Sequence, residues 1–154
     1  KECDDLLVLR TFSKLFSMAG LRIGYVSGEA KLIEYIEKAE STFNVNNIAL
    51  LFAQEVIQNP KLVDQLAKTE REGRQWLVEK LKDAGYRTFA MEGNYVLFYP
   101  DKDSKLIVEA LKKEGVWVRD YGRGILKGWI RVSTGSRRCM EQFWKTFCQV
   151  KDVI

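Results

Sequence analysis

An α/β fold is expected, on three observations. A short apolar run, Leu6-Leu7-Val8-Leu9, has the length of a buried strand, and Ile23 and Tyr25 open a second extended segment beyond a polar stretch. Apolar residues then recur at helical spacing, first at Leu32, Ile33, Ile36 and Ala39 and again at Ile48, Leu51, Phe52 and Val56. From Tyr86 onward the order is strand, strand, helix, strand, strand, helix, which fits a compact α+β layer. With 154 residues, 46% of them hydrophobic and 12% aromatic, the chain can fill the core of one ordinary domain or two small ones.

Residues 1–5 are charged and read as a loop leading into the first strand. Val26-Ser27-Gly28 closes the second strand and Glu29 starts a helix, on which Glu34 and Lys38 form a favourable i,i+4 pair. Residues 41–46 form a polar loop before the next helix, which Asn46 is able to cap and which Pro60 stops near Asn59. Residues 61–84 read as a long amphipathic helix with Leu62, Leu66, Trp76, Leu77 and Leu81 on its apolar side. Its charged run Lys68-Thr69-Glu70-Arg71-Glu72 suggests a solvated connector between two domains, weakened by about 1 kcal/mol at Gly73 and stopped at Gly85. Strands are expected at 86–91 and 95–99. A helix capped by Asp103 or Ser104 follows, carrying Leu106, Ile107, Ala110 and Leu111 and ending at Gly115. Strands at 116–119 and 130–134 flank a flexible basic loop, Tyr121-Gly122-Arg123-Gly124. Ser136 begins the last helix, buried along Met140, Phe143, Trp144 and Phe147.

Charge and cysteine content narrow the chemistry. Basic and acidic residues number 25 and 21 and are interspersed, so the net +4 is weak evidence for nucleic-acid binding. No apolar run reaches the length of a membrane span, and the N-terminus does not read as a signal peptide. The three cysteines, Cys3, Cys139 and Cys148, read as buried, reduced thiols of a cytoplasmic protein, since the last two fall on opposite faces of a helix. The chain contains no histidine, so His-based triads and His metal sites are excluded, and no metal is expected.

One stretch concentrates the chemistry. Thr11 and Ser13 sit two apart, so an extended backbone turns both hydroxyls the same way. Lys14 follows at once, and Arg22 comes eight residues later, past a small-residue turn at Ala19 and Gly20. Two hydroxyls, an amine and a guanidinium around one strand end suit a phosphorylated ligand with an electrophilic carbon. Hydroxyls and Arg hold the phosphate, and Lys attacks the carbon.

Ser13-Lys14 followed by Ala19-Gly20-Leu21-Arg22-Ile23-Gly24-Tyr25 closely resembles the lysine-bearing segment of fold-type I aminotransferases, which use pyridoxal 5′-phosphate. The resemblance implies that Lys14 is the Schiff-base lysine and mover of the substrate proton, and that Thr11, Ser13 and Arg22 bind the cofactor phosphate. Phe43-Asn44-Val45-Asn46 resembles a segment of histidinol-phosphate aminotransferases in particular, with Thr42 where a Pro usually stands. Val116-Trp117-Val118-Arg119 and Trp129-Ile130-Arg131-Val132-Ser133-Thr134-Gly135 resemble two further segments of that family. There, two arginines grip the substrate phosphate, or in related transaminases the second grips a carboxylate; this implies Arg119 and Arg131 as substrate ligands. Asn94 matches an Asn that lies towards the site.

The resemblance covers nearly all of this chain but only the C-terminal part of the family's length. It implies the end of a large PLP-binding α/β domain over 1–59 and a small α+β domain with its connecting helix over 60–154. An upstream Asp, Asn and ring-stacking aromatic of the family have no counterpart in these residues. The expected activity is transamination of a phosphorylated or carboxylated amine, foremost histidinol phosphate with 2-oxoglutarate in histidine biosynthesis, by a cytoplasmic homodimer with no nucleic-acid or membrane partner. Two alternatives stand: a lyase like threonine-phosphate decarboxylase, which tends to differ where Asn44 stands, or a non-catalytic fragment or binding module.

Overall fold

The computed structural model describes residues 5–154. Most of the expected leading loop, with Cys3, lies outside the described residues. The chain divides into two compact units, one up to Leu66 and one from Ala67 to Ile154, with the division falling inside a helix.

The first unit holds an antiparallel hairpin of β1 (Leu7–Thr11) and β2 (Gly24–Gly28), then α1 (Ala30–Glu37), α2 (Asn47–Gln58) and the start of α3 (Pro60–Asp83). Its core is small: Phe12, Met18, Ile23, Ala49 and Ala53. The expectation of a buried first strand is not met. Among the described residues β1 pairs only with β2, and Leu9 stays 77% exposed. Nor is the apolar stripe expected on α2 the buried one: Ile48, Leu51 and Phe52 are exposed, while Ala49 and Ala53 face the core with Val56 against it. Asn46 caps this helix by accepting from the Ala49 N–H at 2.8 Å. Its amide also donates to the Leu21 carbonyl, tying the helix start to the segment after Lys14.

The second unit is an antiparallel sheet in the order β3-β4-β6-β5, made of β3 (Arg87–Phe89), β4 (Tyr95–Tyr99), β5 (Arg119–Asp120) and β6 (Ile130–Ser133). α4 (Ser104–Lys113) and α5 (Arg137–Lys151) complete it. Alternation sends Val96, Phe98, Ile130 and Val132 to one face, where they join Ile107, Leu111, Met140, Phe143 and Phe147 in the core. Phe98 meets Phe147 edge-on at 5.1 Å between ring centres, a favoured aromatic geometry. Asp103 caps α4 and Ser136 caps α5, both at positions legible in the sequence.

The connecting helix is less solvated than expected. In this unit α3 buries Gly73, Arg74, Leu77 and Leu81. The strand expected over 116–119 is displaced as well as shortened, since β5 shares only Arg119 with it, and Ser104 holds β5 to α4 by donating to Asp120 Oδ1 at 2.6 Å. Among the described residues no helix is long and apolar enough to cross a membrane, and no acidic or cysteine cluster is arranged to hold a metal ion.

Candidate functional site

In the first unit the β1–β2 register pairs Thr11 with Gly24, and the Phe12 N–H donates to the Ile23 carbonyl at 3.3 Å. Beyond that bond the ladder ends, and Ser13 and Arg22 both lie just outside the paired strands. The two hydroxyls meet, though not through the extended backbone that the spacing suggested. Thr11 donates to Ser13 Oγ at 2.8 Å and accepts from the Ser13 N–H at 3.1 Å. Ser13 already lies beyond the strand, so this small side-chain turn holds the pair together where the ladder has stopped.

Lys14 is exposed on the loop that follows, and its carbonyl accepts from the Ser17 N–H at 3.0 Å. Buried Phe12 and Met18 anchor the two sides of this loop, the Met18 N–H donating to the Phe12 carbonyl. Arg22 adopts a left-handed backbone, φ 54° and ψ 43°, directly after a 3-10 turn over Ala19–Leu21. Its guanidinium donates to the Ala19 carbonyl at 2.9 Å. Gly24 is required by close approach, since a Cβ there would stand 2.6 Å from the Arg10 carbonyl oxygen. An apolar groove of about 520 Å³ lies beside the 3-10 turn, lined by Phe16, Met18, Leu21, Phe52 and Val56 among others, with no ionisable side chain in its wall.

The donor set at the hairpin end therefore fits a phosphate group. It offers two hydroxyls in mutual contact and one guanidinium, with an amine on the adjoining loop.

In the second unit Arg119 and Arg131 are direct cross-strand partners, closer than their separation in sequence implies. Partners in an antiparallel pair project to the same face, so the two guanidinium groups rise side by side. Leu97 is the next partner across from Arg131 on the other side. Arg119 is exposed, Arg131 is half-buried, and Arg131 Nε is buried without a hydrogen-bond partner among the described residues. Asp120 points away, engaged by Ser104.

Asn94 is half-buried at the start of β4, and its carbonyl accepts from the Thr134 N–H at 3.0 Å. The structure thus gives its backbone a role in closing β4 onto β6, near the Arg131 strand. Thr134 is also held from α3, donating to Glu70 Oε1 at 2.5 Å.

Sequence reasoning missed Tyr121, which it read as part of a flexible loop. Its ring lies 5.4 Å from the Arg119 guanidinium, and its hydroxyl accepts from Arg131 Nη1 at 3.4 Å. The available signal was its place two residues after Arg119, the spacing that shares a strand face.

The family described as aminotransferase class I and II matches residues 1–147. Histidinol-phosphate aminotransferase 1 of Dechloromonas aromatica is 33% identical over 136 residues, covering 88% of this chain and 37% of that protein. The structure of histidinol-phosphate aminotransferase from Sinorhizobium meliloti in complex with pyridoxal-5′-phosphate superposes with a TM-score of 0.83 at 23% identity, covering 98% of this chain and 42% of that one. L-threonine-O-3-phosphate decarboxylase from Porphyromonas gingivalis has a TM-score of 0.77 at 19% identity, over 99% of this chain and 48% of that one. At such identities the two structures establish the fold, which is that of PLP-dependent transferases. This chain spans well under half the length of the curated relatives it matches. With the match running over nearly its whole length, the chain belongs to the aminotransferase class I and II family.

Proposed function

We propose that this chain is the C-terminal part of a pyridoxal phosphate-dependent aminotransferase acting on a phosphorylated amine, histidinol phosphate foremost, with 2-oxoglutarate as amino acceptor. The observation that carries the reading is the hairpin end, where hydroxyl-coupled Thr11 and Ser13 lead into Lys14 and Arg22 stands two residues before Gly24, the strand partner of Thr11. Thr11, Ser13 and Arg22 would hold the cofactor phosphate through charge-assisted hydrogen bonds. Lys14 Nζ would hold the cofactor covalently and, once released by the amine substrate, carry the proton of the substrate α-carbon. Bound there, the cofactor supplies the electron sink for the bond broken at that carbon. Arg119 and Arg131 would bind the substrate's remote anionic group and so fix its orientation. On this reading the complete enzyme is a cytoplasmic homodimer.

The test is a mapped adduct. The longest natural form of the chain is incubated with pyridoxal phosphate, reduced with borohydride, digested and analysed by mass spectrometry. A single phosphopyridoxyl group on Lys14 is the expected result. Label scattered over surface lysines in the full-length protein would end the enzyme reading.

A decarboxylase acting on an amino-acid phosphate remains the second reading, because the Arg119–Arg131 pair suits that substrate equally well. Release of carbon dioxide, rather than accumulation of a 2-oxo product, would identify it.

A further inference from the structure

We propose that Tyr121 is a third member of the Arg119–Arg131 anion clamp, its hydroxyl donating to a phosphate oxygen of the substrate and biasing the clamp towards phosphate over carboxylate. This rests on the reading of the arginine pair given above. Two guanidinium groups set directly opposite each other repel, and among the described residues neither forms an ion pair with a carboxylate. Tyr121 relieves part of that repulsion at both. Its ring face lies under Arg119, and its hydroxyl oxygen accepts from Arg131.

Because that oxygen accepts, its own proton is left to donate, beside the two cations where an anion would settle. Tyr121 is also fixed in place. Its N–H donates to the Trp129 carbonyl at 3.1 Å and its carbonyl accepts from the Gly128 N–H at 3.0 Å, extending the β5–β6 pairing past the strand end. The discrimination follows from the ligand's shape. A carboxylate has two oxygens, which one guanidinium fork satisfies, whereas a phosphate monoester offers three and carries nearly twice the charge. Two arginines and a hydroxyl match the second more fully.

The test uses the full-length holoenzyme containing this segment and the substitution Tyr121→Phe, which keeps the ring over Arg119 and removes only the hydroxyl. Loss of one hydrogen bond to a charged group corresponds to about a tenfold effect. The ratio of KM for the phosphorylated amine to KM for glutamate is expected to rise by about tenfold, with kcat for the phosphorylated amine held within about twofold. Inhibition by inorganic phosphate should weaken in step. An unaltered KM ratio, or a fall in kcat without a change in KM, would overturn the assignment. Arg131→Ala run in parallel separates the two claims. If it leaves KM for the phosphorylated amine as it was, the arginine clamp itself is wrong; if it raises KM and Tyr121→Phe does not, only the role of Tyr121 falls.

Discussion

Arg22 holds a backbone conformation that costs an L-residue about 1–2 kcal/mol, and a glycine there would avoid the cost. The guanidinium offsets some of it by closing onto the Ala19 carbonyl. A residue kept under strain at the hairpin end that also carries the Thr11–Ser13 hydroxyl pair is understandable if its side chain serves a ligand. Arg22→Gly separates the two roles. Resistance to urea should hold or improve by about 1 kcal/mol, while affinity for pyridoxal phosphate, followed by fluorescence titration, falls at least about tenfold. Equal affinity in the variant would leave Arg22 only the work of forming its turn. The cysteines divide at this scale too. Cys139 is exposed, against expectation, because it sits on the first turn of α5, whereas burial pushes the Cys148 thiol above its ordinary pKa and keeps it neutral.

Among the elements, α3 departs furthest from its sequence reading. Gly73 looked like a weak point in a solvated connector, yet a Cβ there would fall 2.1 Å from the Gly135 carbonyl oxygen and 2.9 Å from the Arg137 nitrogen. The glycine lets the helix backbone press against the turn between β6 and α5. Around that contact Glu70 accepts from Thr134 and lies 3.3 Å from Arg74, while buried Arg74 also donates to the Met91 carbonyl and reaches Glu92. The charged run in the sequence is thus partly an internal brace behind the strand that carries Arg131. Gly73→Ala should raise helix propensity by about 1 kcal/mol but force two backbones apart, for a net loss of about 2 kcal/mol in chemical denaturation. A more stable variant would show that the contact yields easily. At the other edge, Ser104→Ala would release Asp120 and loosen the two-residue strand that presents Arg119.

At the scale of the whole molecule the two units are unequally built. The second packs a continuous core from both helices, the sheet and the inner side of α3. Among the described residues the first buries five apolar side chains and leaves Leu9, Phe43, Ile48, Leu51 and Ile57 open to solvent. Amide hydrogen exchange on the 154-residue chain should therefore show β4, β6 and α5 as the most protected segments, with β1, β2 and α2 exchanging far sooner. Equal protection in both units would mean that the first gains stability from something other than its own core. Much of this protein is legible in its sequence. Helix and strand periods, the caps at Asn46, Asp103 and Ser136, and the Thr11–Ser13 contact are settled by neighbours within a turn or two, so their causes lie in adjacent residues. The tertiary structure alone decided that Arg119 stands opposite Arg131 with Tyr121 against both, that Gly73 meets Gly135, and that α2 buries its alanines. Strand register and the close approach of two backbones depend on pairing between residues far apart in the chain, and no local pattern encodes which of them will meet.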